Sequence, residues 1–411
     1  RIDVNMNSIT DEQKLFLTNQ PMAMEQLLTD IRLPEIIKRI DGQTIIYTEY
    51  LGTADPNKKR IIDKIQSEVE QAGFSCGLYI GENRSGLEKF KEIDPILIVG
   101  DVGVDKYTFG DVKRISPEAP VPVLEVTEEW QKLGLAANVV DNFKSLDVPS
   151  TICGVVGEDK GGTHFEELLE EKGIKTWGIV RAEGRSTILK ERILTKRQQI
   201  CRIDYESSQV LEGSHEDKLI FRINDLFKGH SCILISDYSK GIFTEKVCKT
   251  LIELGNKNGV LVAVDPVRST NAEWYKGATL LKPNLIEAQA ICHSFGYYDK
   301  SVEEMAHILM DKLELEKVVI TLGGSGIAIL DKTVDDEVQI LPTVGRDVFD
   351  VSGAGDTAIS VLCASLLSGA SLKDAALMSN LASGVVVGKR GTATVTSSEL
   401  IEFHEIVSKK A

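Results

Sequence analysis

The sequence predicts an α/β protein in which a parallel sheet is covered by helices and a small second sheet lies beside it. Apolar runs of four or five residues recur between helix-compatible stretches, the pattern of strands buried on both faces. Two other segments alternate, as strands exposed on one face do.

The runs come in order along the chain. Ile96-Leu-Ile-Val99 ends in Gly100-Asp101, and Cys232-Ile-Leu-Ile235 precedes Ser236-Asp237. Val260-Leu-Val-Ala-Val264 precedes Asp265-Pro266, and Val318-Val-Ile-Thr-Leu322 precedes Gly323-Gly324. Phe243 to Gly255 and Val302 to Leu313 read as helices between them. Ligands of parallel α/β sheets sit beyond the carboxyl ends of the strands. Asp101, Asp237, Asp265 and the glycine pair therefore mark the expected edge of a site. The alternating segments, Val121 to Val126 and Ser186 to Thr195, predict a flap beside the main sheet.

Residues 1 to about 93 are of a different character, polar and rich in helix formers. Leu27 to Ile40 reads as an amphipathic helix, Thr44 to Thr48 as a short strand, and Lys58 to Ala72 as a helix closed by Gly73. Gly77 to Ile80 is a further strand candidate.

With 411 residues the chain has room for two or three domains, and 42% hydrophobic with 27% charged residues is ordinary globular composition. A formal net charge of −15 argues against a general nucleic-acid footprint, which needs a basic face. It leaves room for a local basic pocket. Seven scattered cysteines, an odd number with no CxxC pair, point to reduced thiols and a cytoplasmic setting. The six histidines form no HExxH or Cys/His cluster, so zinc is not expected. No apolar run approaches 18 residues, so no membrane helix is expected. The sequence opens at Arg1 without a methionine or a signal-peptide pattern.

Three short motifs carry chemistry. Gly353-Ala-Gly-Asp356 precedes a helix-compatible stretch, Thr357 to Leu367. Two glycines let backbone N–H groups converge at a helix N-terminus, where the dipole favours an anion. A carboxylate in that turn sits near a bound phosphate and can take a proton from an attacking hydroxyl. A strand-turn-helix corner with glycines for tight packing has the same pattern. Thr321-Leu-Gly-Gly-Ser-Gly326 is a second glycine-rich turn, suited to a nucleotide's close approach and equally to a hairpin. No GxxxxGK[ST] loop is present. Asn284-Leu-Ile-Glu287 places a carboxamide and a carboxylate three apart at a helix start. That pair suits Mg²⁺ held through water, or an N-cap with a capping-box glutamate.

Taken with Gly154-Val-Val-Gly-Glu-Asp159, these segments resemble the ribokinase (PfkB) family of carbohydrate kinases. The likeness is closer to its D-glycero-β-D-manno-heptose-7-phosphate kinases, the kinase half of a bifunctional kinase/adenylyltransferase. Val99 to Tyr107, Arg114 to Pro122, Gln198 to Asp204, Ser236 to Gly241, Leu280 to Glu287 and Gly384 to Val395 carry it, and it covers residues 94–411. The resemblance implies a ribokinase-like three-layer α/β/α core with a β-sheet lid, its segments near 106–130 and 185–203. Homodimers through the lid are common in that family. It implies transfer of the ATP γ-phosphoryl group to the anomeric hydroxyl of a heptose 7-phosphate, with Mg²⁺ and a monovalent cation such as K⁺ near Asp350. Asp356 would be the base, and Gly353, Ala354 and Gly355 would hold the phosphoryl group through backbone N–H groups. Asn284 and Glu287 would set the metal's surroundings, with Gly323, Gly324, Gly326 and Asn380 near the nucleotide. Asp105 and Asn138 would hold sugar hydroxyls, and Lys190, Arg192 and Arg197 the 7-phosphate.

One departure stands out. The heptose kinases carry Pro-Gly-Gly-Ala-Ala-Asn where this chain has Leu133-Gly-Leu-Ala-Ala-Asn138. Leu135 is expected to narrow the sugar pocket, change its preference or weaken activity. A kinase for another sugar, or a weakly catalytic binding scaffold, are the alternative readings. A separate adenylyltransferase is expected, because the sequence closes at Ala411 soon after the kinase motifs. In residues 1–93, Thr44 to Tyr50 and Cys76 to Phe90 weakly resemble the start of the second motor domain of SNF2-like helicases. That appended region has no Walker lysine and is assigned no chemistry.

Overall fold

The computed structural model describes residues 89–404 except 197, 269, 344–350 and 390, together with Leu87 and the backbone of 405–408 and of three short strands nearer the start. The chain divides into two compact units, Arg1–Glu88 and Lys89–Ala411. In the first, β1 (Ile2–Asp3), β2 (Ile37–Ile40) and β3 (Gln43–Ile46) pair antiparallel in the order β1-β3-β2. Ile37–Ile40 is thus a strand rather than the end of a helix. Ile40 pairs with Gln43 across Asp41-Gly42, a dipeptide that favours tight hairpins, and this local signal outweighs the apolar spacing. The other segments expected in this region, Lys58 to Ala72 and Gly77 to Ile80, lie outside the described residues.

The second unit is built on a nine-stranded sheet. Its strands are β4 (Ile96–Gly100), β7 (Ser150–Gly157), β8 (Gly178–Ala182), β11 (Cys232–Ser236), β12 (Leu261–Asp265), β13 (Leu280–Leu281), β14 (Lys317–Thr321), β15 (Ile327–Asp331) and β16 (Gln339–Leu341). They run in the order β16-β15-β14-β13-β12-β11-β4-β7-β8. Pairing is parallel from β14 through to β8, and antiparallel only where β15 and β16 extend one edge. Strands β4 and β11 are buried along their whole length, which is why they read as unbroken apolar runs.

Helices cover both faces. On one side α3 (Gly213–Leu226), α4 (Glu245–Asn258), α5 (Leu285–Ser294) and α6 (Val302–Lys312) pack over Leu97, Val99, Ile233, Ile235, Val262 and Val264. The intervening residues Ile96, Ile98, Leu234 and Ala263 are equally buried and point the other way. Among the helices that complete the fold are α1 (Ala136–Ser145), α2 (Lys160–Glu171), α7 (Ala354–Leu367), α8 (Leu372–Val386) and α9 (Ser397–Ser408). Helix α1 packs against β4 and α7, and α7 against α8. Among the described residues no helix is long and apolar enough to cross a membrane.

The second sheet leaves the first at Asp101. Strand β5 (Val102–Ile115) and strand β6 (Pro122–Leu135) form a hairpin of two 14-residue strands. Strand β9 (Ile188–Leu194) lies parallel to β5, and β10 (Gln199–Tyr205) antiparallel to β9, in the order β10-β9-β5-β6. The alternating segments mark parts of this lid. Its hairpin is far longer than Val121 to Val126 because the basal half of β5 is buried and carries no alternation.

Candidate active site

Helix α7 opens on Gly353, which caps it at φ 80°. A side chain there would be strained, and its Cβ would lie 3.0 Å from Asn138 Nδ2. The first helical bond runs from Thr357 N–H to Gly353 O at 3.0 Å. Ala354 N–H is already engaged, donating to Val351 O at 3.2 Å. By position the N–H groups of Gly355 and Asp356 have no acceptor within the helix, and the dipole makes that end attractive to an anion.

Asp356 follows in the same turn and is buried. Asn138 Nδ2 donates to its Oδ2 at 2.6 Å, and the Tyr238 hydroxyl donates to its Oδ1. Asn138 is the third residue of α1. Its carbonyl accepts from Asn142 Nδ2 at 2.9 Å, and Asn142 Oδ1 accepts from Thr357 Oγ1 at 2.8 Å. Helices α1 and α7 are thus tied together around the carboxylate. Burial pushes the Asp356 carboxyl up to about 6, while the bonds from Tyr238 and Asn138 oppose the rise.

Asp356 stands on the wall of a cleft of about 570 Å³ at the carboxyl edge of the main sheet. Gly355, Gly323, Gly324, Gly326, Asn284, Glu287 and Asn380 line the same cleft. At Gly324 and Gly355 an added Cβ would meet no protein atom within 4 Å, while Gly323 sits at φ 58°, which itself calls for glycine. Gly324 and Gly355 are bare backbone that no neighbouring element requires to be bare, which suits a ligand lying against them. Asn380 is fixed: its Nδ2 donates to Pro342 O at 2.8 Å and its Oδ1 accepts from Thr343 Oγ1 at 3.4 Å.

Asn284 and Glu287 form a capping box at the start of α5. Glu287 N–H donates to Asn284 Oδ1 at 2.9 Å, and Asn284 N–H to Glu287 Oε2 at 2.8 Å. Burial raises the Glu287 carboxyl above its usual range. The cap occupies Oε2. One carboxylate facing a phosphate-sized cleft fits Mg²⁺, which keeps several waters and takes few protein ligands.

Along and behind one wall of the cleft runs an acidic network that the motifs do not assign. Lys282 Nζ pairs with Asp265 Oδ1 at 2.9 Å, almost wholly buried. Asp237 accepts from Tyr275 OH at 2.6 Å, Thr270 Oγ1 at 2.7 Å and Ser239 N–H at 2.6 Å. Asp101 Oδ2 accepts from the N–H groups of Tyr238 at 3.1 Å and Lys240 at 3.0 Å, while among the described residues its buried Oδ1 has no partner. Burial and the nearby Asp237 charge push Asp101 up to about 6. The aspartates at the strand ends and the Ser236 to Gly241 segment were the available signals. What they lacked was the contact that gives Tyr238 its role.

The residues expected to hold the sugar phosphate form a separate cluster on the lid. Arg192 donates to Asp105 Oδ1 at 2.6 Å and lies over the Tyr107 ring. Lys190 pairs with Glu206 at 3.3 Å and Asp204 at 3.6 Å. Register places Asp105 between Lys132 and Lys190, and Tyr107 between Trp130 and Arg192, so these side chains share one face. That face reaches the turn at Gly353 through Thr392. Its N–H donates to Tyr107 OH at 3.1 Å, its carbonyl accepts from Lys132 Nζ at 2.9 Å, and it lies beside Gly353. None of Asp105, Lys190 and Arg192 lines the cleft that holds Asp356. Arg197 and Asp350 lie outside the described residues.

What sets Leu135 apart in the structure is its backbone. It caps α1 at φ 58°, ψ −137°, a region that glycine occupies freely and a branched side chain does not. The side chain is buried and does not line the cleft.

Comparison with known proteins agrees with this architecture. Residues 105–399 match the description "pfkB family carbohydrate kinase". The chain is 39% identical over 317 residues to the bifunctional protein HldE of a Nitratiruptor species, covering 76% of this chain and 66% of that one. It is 39% identical over 308 residues to that of Wolinella succinogenes, covering 75% and 64%. For the Haemophilus influenzae protein the figures are 39% over 305 residues, 74% and 62%. The chain thus spans a little under two thirds of the length of these curated relatives. Among solved structures, the ribokinase of Thermotoga maritima superposes with a TM-score of 0.61 at 20% identity, over 76% of this chain and 99% of that one. Phosphofructokinase-2 from Escherichia coli, in complex with potassium, gives 0.63 at 17% identity, over 77% and 99%. These two share the fold.

Proposed function

Because the chain belongs to the pfkB family of carbohydrate kinases, we propose that it transfers the γ-phosphoryl group of ATP to D-glycero-β-D-manno-heptose 7-phosphate, at the anomeric hydroxyl, giving the 1,7-bisphosphate. The observation that carries this reading is Asp356: a buried, doubly hydrogen-bonded carboxylate in the first turn of a helix, on the wall of a glycine-lined cleft.

Phosphoryl transfer needs mainly positioning and electrostatic support. Asp356 takes the proton of the anomeric hydroxyl as that oxygen attacks. The N–H groups at the head of α7, chiefly those of Gly355 and Asp356, hold the phosphoryl oxygens. Gly323, Gly324, Gly326 and Asn380 receive the nucleotide. Glu287, with Asn284 through water, would hold Mg²⁺, whose charge offsets that of the phosphates. A monovalent cation beside Asp350 belongs to the same reading. Asp105 and Asn138 take sugar hydroxyls, and Lys190 and Arg192, with Arg197, take the 7-phosphate. A phosphate at Arg192 competes with Asp105 and turns that carboxylate over to the sugar. Two copies would meet through the lid, where Ile115, Val121 and Val126 are exposed apolar side chains on one hairpin.

Turnover of ATP against a panel of sugars and sugar 7-phosphates tests the proposal. The heptose 7-phosphate should give the highest kcat/KM. Asp356→Asn should fold normally and lose about 10²–10⁴-fold in turnover. Higher kcat/KM on another sugar would reassign the substrate. ATP binding without stimulation by any sugar would make the chain a scaffold.

A further inference from the structure

We propose that Tyr238 is a positioning residue for Asp356: its phenol, presented by a turn anchored on Asp101 and Asp237, holds one oxygen of the base and opposes its protonation. The inference rests on the reading of Asp356 as the base, and goes beyond it in naming what sets that base's working range.

The turn after β11 is heavily constrained. Asp101 Oδ2 collects the N–H groups of Tyr238 and Lys240, and Asp237 Oδ1 collects that of Ser239. Ser239 sits at φ 55°, a conformation that a non-glycine residue keeps only when its surroundings impose it. Arg185 ties the same segment down, donating to Lys240 O and, at 2.8 Å, to Gln209 O. Asp237 is itself held by Tyr275 and Thr270. The outcome is a single phenol aimed at Asp356 Oδ1, across from Asn138 on Oδ2.

Two donors on one carboxylate favour its ionised form. Burial works against them, as does the Asp265 charge, while Lys282 helps. Tyr238 faces Asp356, Asp265 and Asp105, and burial with those charges raises its own pKa well above the ordinary value. It therefore stays a protonated donor and does not relay the proton. Without the phenol, Asn138 and Lys282 alone would oppose burial, and the base would fill with a proton at higher pH.

The test compares Tyr238→Phe, Asp356→Asn and the wild-type chain, using ATP and D-glycero-β-D-manno-heptose 7-phosphate. The acidic limb of wild-type kcat/KM should lie near pH 6, where Asp356 titrates. Loss of a hydrogen bond to a charged group moves a pKa by about one unit, so Tyr238→Phe should lose about fivefold at pH 6 and almost nothing at pH 8.5. Carboxyl ¹³C NMR of aspartate-labelled free enzyme reads the same midpoint without any substrate, with Asp356→Asn identifying the signal. Asp101→Ala, which frees the turn, should shift the midpoint in the same direction and serves if Tyr238→Phe does not fold. An unshifted midpoint, or a loss equal at every pH, overturns the inference and leaves the base assignment standing. Wild-type turnover by Asp356→Asn overturns the base assignment, and the inference with it.

Discussion

The edge of the main sheet and the lid handle charge in opposite ways. At the sheet edge the ionisable groups are buried, and mostly uncharged donors hold them: Tyr238 and Asn138 on Asp356, Tyr275 and Thr270 on Asp237, backbone N–H groups on Asp101. Among the described residues only Asp265 has a direct cation there, in Lys282. On the lid, carboxylates and cations are numerous and paired with one another. Lys106 bridges Glu129 and Glu191, Arg202 holds Asp204, and Lys190 pairs with Glu206. Burial lifts Asp101 and Asp356 to about 6. It pulls Glu191, Asp204 and Glu206 upward too, but cations and hydrogen bonds prevail and hold those three below the usual range. In the proposed function, proton transfer falls where carboxylates are dry, and recognition of an anionic substrate falls where cations can exchange one carboxylate for another.

Substitutions at the sheet edge should therefore cost turnover or stability, and substitutions on the lid should cost affinity. The largest effect is the loss of turnover in Asp356→Asn already described. Next comes Lys282→Met, which leaves Asp265 buried with no cation. Removing one partner of a buried ion pair costs about 3–5 kcal/mol. Burial already raises the Asp265 pKa in the wild-type chain against the pull of Lys282, and without that cation its folded-state pKa should rise further above the unfolded value. Stability is then closest to wild type at acid pH and falls away as pH rises through the folded pKa. Urea unfolding at several pH values checks this. A pH-independent loss would mean that Asp265 carries little charge in the wild type.

Leu135 gives a smaller and sharper test. Its φ of 58° is unfavourable for any side chain, while its buried position rewards an apolar one. Leu135→Ala keeps the backbone strain and loses the burial. Leu135→Gly loses the burial and also the strain, worth about 1–3 kcal/mol. The glycine variant should therefore be more stable than the alanine variant by about 1 kcal/mol or more, despite glycine's entropic cost. Thermal unfolding decides it, and the reverse order would show that no strain resides there.

The same contrast explains what the sequence could show. The strands of the sheet centre are legible because burial on both faces leaves unbroken apolar runs, as in β4 and β11. The lid hairpin is not, because its two strands pass from a buried base to an exposed tip and no single period describes them. Asp356 and Asn138 each sit in a readable motif, and the structure joins them at 2.6 Å. For Asn284 and Glu287 the two readings of their spacing prove compatible. They form the capping box, and both line the cleft. Tyr238 was out of reach: its meaning depends on a residue 118 positions away and on a turn held by Asp101 from another strand. Leu135 was visible as a departure, but only the backbone angles show that it sits at positive φ.

The smallest effect expected is on the lid, at Lys190. Its partners each keep another cation when it is removed, since Lys240 remains 2.7 Å from Glu206 and Arg202 2.8 Å from Asp204. Lys190→Met should therefore change stability by less than about 1 kcal/mol. If Lys190 holds the sugar's phosphate, the lost contact weakens ground state and transition state alike, so KM for the heptose 7-phosphate should rise about tenfold with kcat within about threefold. The wild-type KM should also climb with ionic strength, and the variant's less steeply, because a screened contact has been removed. Steady-state kinetics at two salt concentrations reads both effects. A fall in kcat at unchanged KM would place Lys190 with the chemistry at the sheet edge, and the division of labour between the two sheets would fail at that residue.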